Sequence, residues 1–164
     1  MKLGREFYGQ PTLDVARNLL GKVLVRRLNG KNLSGKIVET EAYIGQEDLA
    51  CHASRGKTPR TSIMFESGGY AYVYMIYGFY FCLNVVTEAA GYPAAVLIRA
   101  IEPLEHTAIM RELRKDPRRD TNIASGPGKL CMAMAIDKAL NGEHLIGNTL
   151  WIEDRKLEVG RIKT

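Results

Sequence analysis

The 164-residue chain is 46% hydrophobic and 25% charged, the ordinary balance of a globular fold, and its length suits one domain with a substantial core. It carries no apolar run of membrane-spanning length and no signal-peptide pattern. Its three cysteines, Cys51, Cys82 and Cys131, lack the spacing of a zinc site or a disulfide framework. Reduced, packed thiols and an intracellular location are therefore expected, and the net charge of +5 suits a polyanionic partner without proving one.

In chain order, residues 11–20 read as a short helix with Pro11 in its first turn and Gly21 after its end. Residues 22–28 alternate as a strand, Asn29-Gly30 signals a two-residue hairpin turn, and the return strand covers about residues 33–43. Residues 45–67 form a long, polar, basic loop, and loops of that length inside a compact domain are often functional. Residues 70–76 and 80–87 pair as a hairpin with Tyr77-Gly78-Phe79 near its tip. A strand at 94–100, a helix at 103–115 and a polar loop at 116–124 follow. Ser125 and Pro127 then open a helix running to about residue 140, and residues 150–153 make a last strand. Antiparallel strand pairs with interspersed helices predict an α+β fold. The expectation is a single mixed domain over residues 1–164, mainly a curved antiparallel sheet with a protruding β-hairpin and flanking helices.

Four of the eight tyrosines crowd into residues 70–77. Strand parity puts Tyr70, Tyr72 and Tyr74 on one face and Ala71, Val73 and Met75 on the other. Tyr77 breaks that parity just before Gly78. A ladder of rings ending in one at a turn can stack flat objects such as nucleobases and wedge between them. Nearby, residues 52–60 hold three basic residues and no acid. Residues 111–120 hold five basic residues and three acids, and fit a solvated helix end equally well.

The segment Val38-Glu-Thr-Glu-Ala-Tyr43 places Glu39, Glu41 and Tyr43 on one strand face. Taken alone it reads first as an exposed face with solvated glutamates. A carboxylate beside an aromatic platform is also what base-cleaving hydrolysis needs: a ring to hold the base and a base to deprotonate water. His52 stands alone in the basic loop, with no second ligand at metal spacing. Asn84 and Arg99 interrupt apolar strands, so they either tie strands together or face a pocket, and Glu41 is a natural partner for Arg99. Ser125-Gly-Pro-Gly-Lys129 lacks Walker spacing. As a helix start it suits a DNA phosphate and simple capping alike.

Together these segments resemble the alkyladenine (3-methyladenine, N-methylpurine) DNA glycosylase family. The resemblance rests on VETEAY at 38–43, A-x-H at 50–52, TPR at 58–60, MF at 64–65, YVYxIYGxYFCxN at 72–84, VLIRAIEPLE at 96–105 and SGPxKLC at 125–131, and covers nearly the whole chain. It implies a monofunctional enzyme that flips a damaged, alkylated or deaminated purine from duplex DNA and hydrolyses its N-glycosidic bond. It further implies a monomer that works with the DNA inside the cell and needs no cofactor and no metal. By the same resemblance Glu41 would activate the water and Arg99 would help hold it. Tyr43, His52 and Tyr74 would form the base pocket, with Asn84 at its floor excluding normal guanine. Tyr77 would intercalate. Tyr72, Phe79, Arg55, Arg60 and Lys129 would support the site or contact the DNA. Family chains normally continue past the equivalent of residue 160, and the loop after Ala53 looks slightly short here. Two other classes stay in view: a non-catalytic nucleic-acid-binding module, which has no use for Glu41, and a nucleoside hydrolase, which has no use for Tyr77.

Overall fold

A computed structural model describes residues 1–163, apart from the side chain of Arg55. The helices are α1 (Arg5–Tyr8), α2 (Thr12–Leu19), α3 (Thr107–Leu113) and α4 (Pro127–Ala133). The strands are β1 (Val23–Leu28), β2 (Lys31–Ile44), β3 (Ala71–Ile76), β4 (Tyr80–Val86), β5 (Ala94–Glu105) and β6 (Leu150–Glu153). All six join one antiparallel sheet in the order β3-β4-β5-β2-β1-β6, an α+β architecture as expected. No helix among the described residues is long and apolar enough to cross a membrane.

The sheet has two differently dressed faces. Alternate residues of β3, β4 and β5, namely Ala71, Val73, Leu83, Val85, Val96 and Ile98, join the main core. That core is closed by α2 (Val15, Ala16, Leu19), by Met110 of α3 and by Leu130, Cys131 and Ala133 of α4. The opposite face is covered by the 45–67 loop, which packs Cys51, Ala53 and Met64 onto Tyr72, Val86 and Ala95.

Strand β2 would carry its glutamates on the wrong face if its parity were unbroken. Leu33 and Ile37 point into the main core, so Glu39, Glu41 and Tyr43 would follow them inward. The ladder with β5 shifts instead: Ile37 faces Ile101, Glu39 faces Ala100, and Thr40 faces Ile98. Val38 on β2 and Arg99 on β5 are thus each one residue in excess, two bulges side by side. Beyond them Ala42 packs on the core, and Thr40 donates its hydroxyl to the Ala16 carbonyl at 2.9 Å. Glu39, Glu41 and Tyr43 are thereby turned to the other face. Bulges re-aim side chains in this way, and a period-2 reading of the sequence does not reveal them.

Several boundaries differ from the sequence expectations. The helix expected at 103–115 begins only at Thr107, because β5 continues to Glu105 with Gly35 opposite Pro103 and Ser34 opposite Glu105. The ladder between β4 and β5 ends at Leu97, so no neighbour on that side requires the N–H that Pro103 lacks. The helix expected from 125 to 140 stops at Ala133. Ala135 takes a left-handed conformation and the Ile136 N–H bonds back to the Cys131 carbonyl, which closes the last turn. Pro127 does open α4, but Gly126 rather than Ser125 is its N-cap, and Ser125 bridges to Ala100. Likewise Pro11 precedes rather than enters the first turn of α2. The expected hairpins at Asn29-Gly30 and Tyr77-Gly78 are both present, with positive φ at all four residues as primed turns demand.

Candidate active site

Strand register alone assembles most of the site. Tyr72 on β3 lies opposite Asn84 on β4, Asn84 opposite Leu97 on β5, and Leu97 opposite Glu41 on β2. Adjacent rows on the same face hold Tyr74 opposite Cys82, and Tyr43 opposite Ala95 opposite Val86. Strands about 4.8 Å apart therefore set a carboxylate and a bank of tyrosines across a single sheet face.

At one end of this face, Arg99 Nη1 donates to Glu41 Oε2 at 2.8 Å and Arg99 Nε donates to Glu39 Oε1 at 2.9 Å. The other Glu41 oxygen accepts from the Tyr43 hydroxyl at 2.8 Å. The hydrogen bond to Glu39, joined by the charge of Glu41, raises the already high pKa of the Arg99 guanidinium, so it is a permanent cation. Burial first, then the bond to Glu41, pushes the Tyr43 phenol up to about 12, so it stays a donor. Glu41 is half-exposed and can meet water. Glu39 was read in the sequence only as sharing the face of Glu41, and the ion pair to Arg99 brings it into the site. Its alternation with Glu41 was the available signal.

At the other end is a cavity with about 40 Å³ of free space, lined by Tyr43, Ala50, His52, Met64, Tyr72, Tyr74 and Asn84. The His52 ring meets Tyr74 edge-on with centroids 4.3 Å apart, and Tyr72 and Tyr74 lie 5.3 Å apart. His52 Nδ1 is 3.2 Å from the Tyr72 hydroxyl, which orients the imidazole. Desolvation, then the charge of Arg60, hold His52 below its usual pKa, so it is neutral at pH 7. Burial holds the Tyr74 phenol well above its ordinary range, and burial also raises the Cys82 thiol, which is inert at neutral pH. Asn84 is 3% exposed and donates Nδ2 to the Tyr72 carbonyl at 3.2 Å. It both ties two strands and lines the cavity, so the two readings of this residue are not alternatives.

The remaining expected residues surround this centre. Tyr77 sits at the hairpin tip, 83% exposed and in the left-handed region at φ 52°. A bulky residue is strained there, and such strain clusters at functional sites. Phe79 beside it is 66% exposed and packs on Tyr80 at 4.2 Å. Tyr77 follows Tyr74 by three residues, one past the end of β3. The Arg60 guanidinium lies 5.5 Å from the Tyr74 ring centroid and is not part of the cavity wall. Lys129 stands in the first turn of α4, whose Gly128 abuts Tyr80 closely enough that a Cβ would collide with the ring at 2.9 Å. The side chain of Arg55 lies outside the described residues. Sequence reasoning did not single out Ala50 and Met64 as cavity walls, although both fall inside motifs it had marked.

A carboxylate clamped beside a ring-lined cavity suits activation of water next to a flat, stacked group. The profile of the methylpurine-DNA glycosylase family matches residues 6–164, and the chain belongs to that family. A Methanocella arvoryzae protein provisionally named 3-methyladenine DNA glycosylase is 59% identical over 93% of this chain and 76% of its own. An Alkaliphilus oremlandii protein of the same provisional name is 53% identical over 93% of this chain and 80% of its own. The mouse DNA-3-methyladenine glycosylase is 49% identical over 96% of this chain and half of its own length.

Proposed function

We propose that this protein is a monofunctional DNA glycosylase of base excision repair, acting on alkylated or deaminated purines as a single catalytic domain. The observation that carries the reading is the Glu41 carboxylate, held by Tyr43 and Arg99 on the sheet face that also bears the aromatic cavity. The target nucleotide leaves the stack, because its glycosidic bond is out of reach inside a duplex. Its base enters between Tyr43 on one side and Tyr74 with His52 on the other. Glu41 takes a proton from water, the water oxygen bonds to C1′, and the C1′–N bond breaks with its electron pair leaving on the purine. A cationic, alkylated purine stacks well on electron-rich tyrosine rings and leaves as a neutral base, so one carboxylate suffices; a neutral deaminated purine takes a proton from solvent water as it leaves. No lysine is among the residues lining the cavity, which fits hydrolysis rather than a Schiff-base lyase. Tyr77 fills the space vacated in the duplex. Lys129, Arg55, Arg60, Phe79 and Tyr72 support the site or the DNA backbone, and the enzyme acts as a monomer without a cofactor.

The test is a duplex carrying one hypoxanthine or one alkylated purine. Wild type should release the free base and leave an intact strand with an abasic site. Glu41→Gln should bind the duplex and lose about 10²–10⁴-fold in rate, the usual worth of a general base. Equal rates in the two proteins would overturn the assignment of Glu41, and strand cleavage by wild type would overturn the monofunctional reading.

A further inference from the structure

The guanidinium of Arg99 is shared between two carboxylates of one strand face, Glu39 through Nε and Glu41 through Nη1. The sharing matters because of what the alternative would be. An arginine beside a lone carboxylate tends to close a bidentate fork, two parallel N–H···O bonds that engage both oxygens. A carboxylate has about four acceptor positions. In this structure Glu41 uses two of them, one for Tyr43 and one for Arg99. A fork would occupy a third and pin both oxygens, leaving little capacity to take a proton from water.

The geometry points to Glu39 as a positioning residue that captures Arg99 Nε and so keeps the guanidinium on Glu41 by a single bond. Glu39 acts only through Arg99, by the bond it accepts from Nε. The Nη2 group donates to no protein group among the described residues, so the same restraint leaves it for a solvent or phosphate oxygen. The paired bulges at Val38 and Arg99 set this arrangement up, because they turn Glu39 outward and bring Arg99 between the two glutamates. Glu39 is exposed and lies outside the core, so replacing it leaves packing intact.

This role rests on Glu41 being the base, and its test separates the two ideas. Single-turnover base release and affinity for the lesion duplex are measured for wild type, Glu39→Ala, Glu39→Gln and Glu41→Gln. Glu39→Ala is expected to release base about tenfold more slowly at unchanged duplex affinity, the scale of a modest loss of positioning. Glu39→Gln is expected to recover near wild-type rate, since its amide oxygen still accepts from Nε. Wild-type speed in Glu39→Ala, or a Glu39→Gln as slow as Glu39→Ala, would overturn the role while leaving the glycosylase reading intact. A wild-type protein inactive on the lesion duplex would refute that reading and this role with it.

Discussion

Replacing Tyr77 with glycine should move stability and activity in opposite directions. Tyr77 is 83% exposed, so its side chain contributes little packing to the free protein. Its φ of 52° is left-handed, which costs a non-glycine residue roughly 1–2 kcal/mol. Glycine removes that strain but loses roughly 0.5–1 kcal/mol of extra chain entropy on folding. The net gain of 0 to about 1.5 kcal/mol corresponds to a melting temperature unchanged or raised by up to about 6 °C in a chain of this size. On duplex DNA the variant forfeits a base–aromatic stacking contact worth roughly 1–3 kcal/mol. At 1.4 kcal/mol per factor of ten, base release should fall roughly 5- to 150-fold. The assay pairs a thermal melt with single-turnover release from the same lesion in duplex and in single-stranded DNA. Loss should be confined to the duplex, where a stack must be refilled. An unchanged duplex rate, or an equal loss on single strands, would refute the wedge.

Two further outcomes follow from the cavity. Asn84→Ala removes a buried donor to the Tyr72 carbonyl, which keeps its ladder partner, and should cost about 0.5–1.5 kcal/mol of stability. The same change should let undamaged guanine be excised above background, measured by guanine release from normal duplex, and background release would sink the gatekeeper role. His52, held below its usual pKa, stays neutral in the folded state while the unfolded chain takes up a proton near pH 6.5. Its contribution to stability is therefore present above that pH and lost as the pH falls below it. Thermal melts between pH 7.5 and 5.5 should show wild type losing more than His52→Gln, and equal losses would contradict the assigned shift.

The tyrosine hairpin was legible in the sequence because its signals are local. Period-2 alternation sorted Tyr72 and Tyr74 from Val73, and the aromatic-glycine pair at 77–78 marked the tip. Leu150–Glu153 was legible for the same reason, an apolar run between turn residues. What could not be read depended on partners far along the chain. The strand state of Pro103 to Glu105 is imposed by pairing with Ser34 and Gly35, against a local pattern that reads as helix. The outward turn of Glu41 depends on two bulges that exist only once β2 and β5 are in register. Sequence parity grouped Glu39, Glu41 and Tyr43 correctly with one another, yet it could not say which side of the sheet they would face. The partnership of Arg99 with Glu41 was read from the sequence, but its second bond, to Glu39, depends on the same bulges and was not.

The cavity also has to change before it can do the proposed work. Its free volume of about 40 Å³ exceeds the roughly 10–15 Å³ that one water needs, but a cavity that admits a single benzene ring measures about 150 Å³. Tyr43, Tyr72, Tyr74 and Asn84 stand on laddered strands, whereas Ala50, His52 and Met64 come from the 45–67 loop. The ends of that loop are tied to the 91–93 turn, by the Gly45 N–H to the Pro93 carbonyl and by the Gly91 N–H to the Phe65 carbonyl. Its side chains reach the sheet by few hydrogen bonds, among them His52 to the Tyr72 hydroxyl and Asp48, which accepts from the Ile44 N–H. Ladder hydrogen bonds resist a shift of the strands more than these few bonds and the packing of Cys51, Ala53 and Met64 resist a shift of the loop, so the loop yields first. Hydrogen exchange of Glu41→Gln bound to a lesion duplex, compared with the same protein on undamaged duplex, isolates base entry from DNA binding. The difference should concentrate in residues 48–65, with β3 and β4 unchanged below the hairpin tip. Identical loop exchange on the two duplexes would mean that the base is accommodated by the tyrosine bank itself, and the division into a rigid sheet and a yielding loop would be wrong.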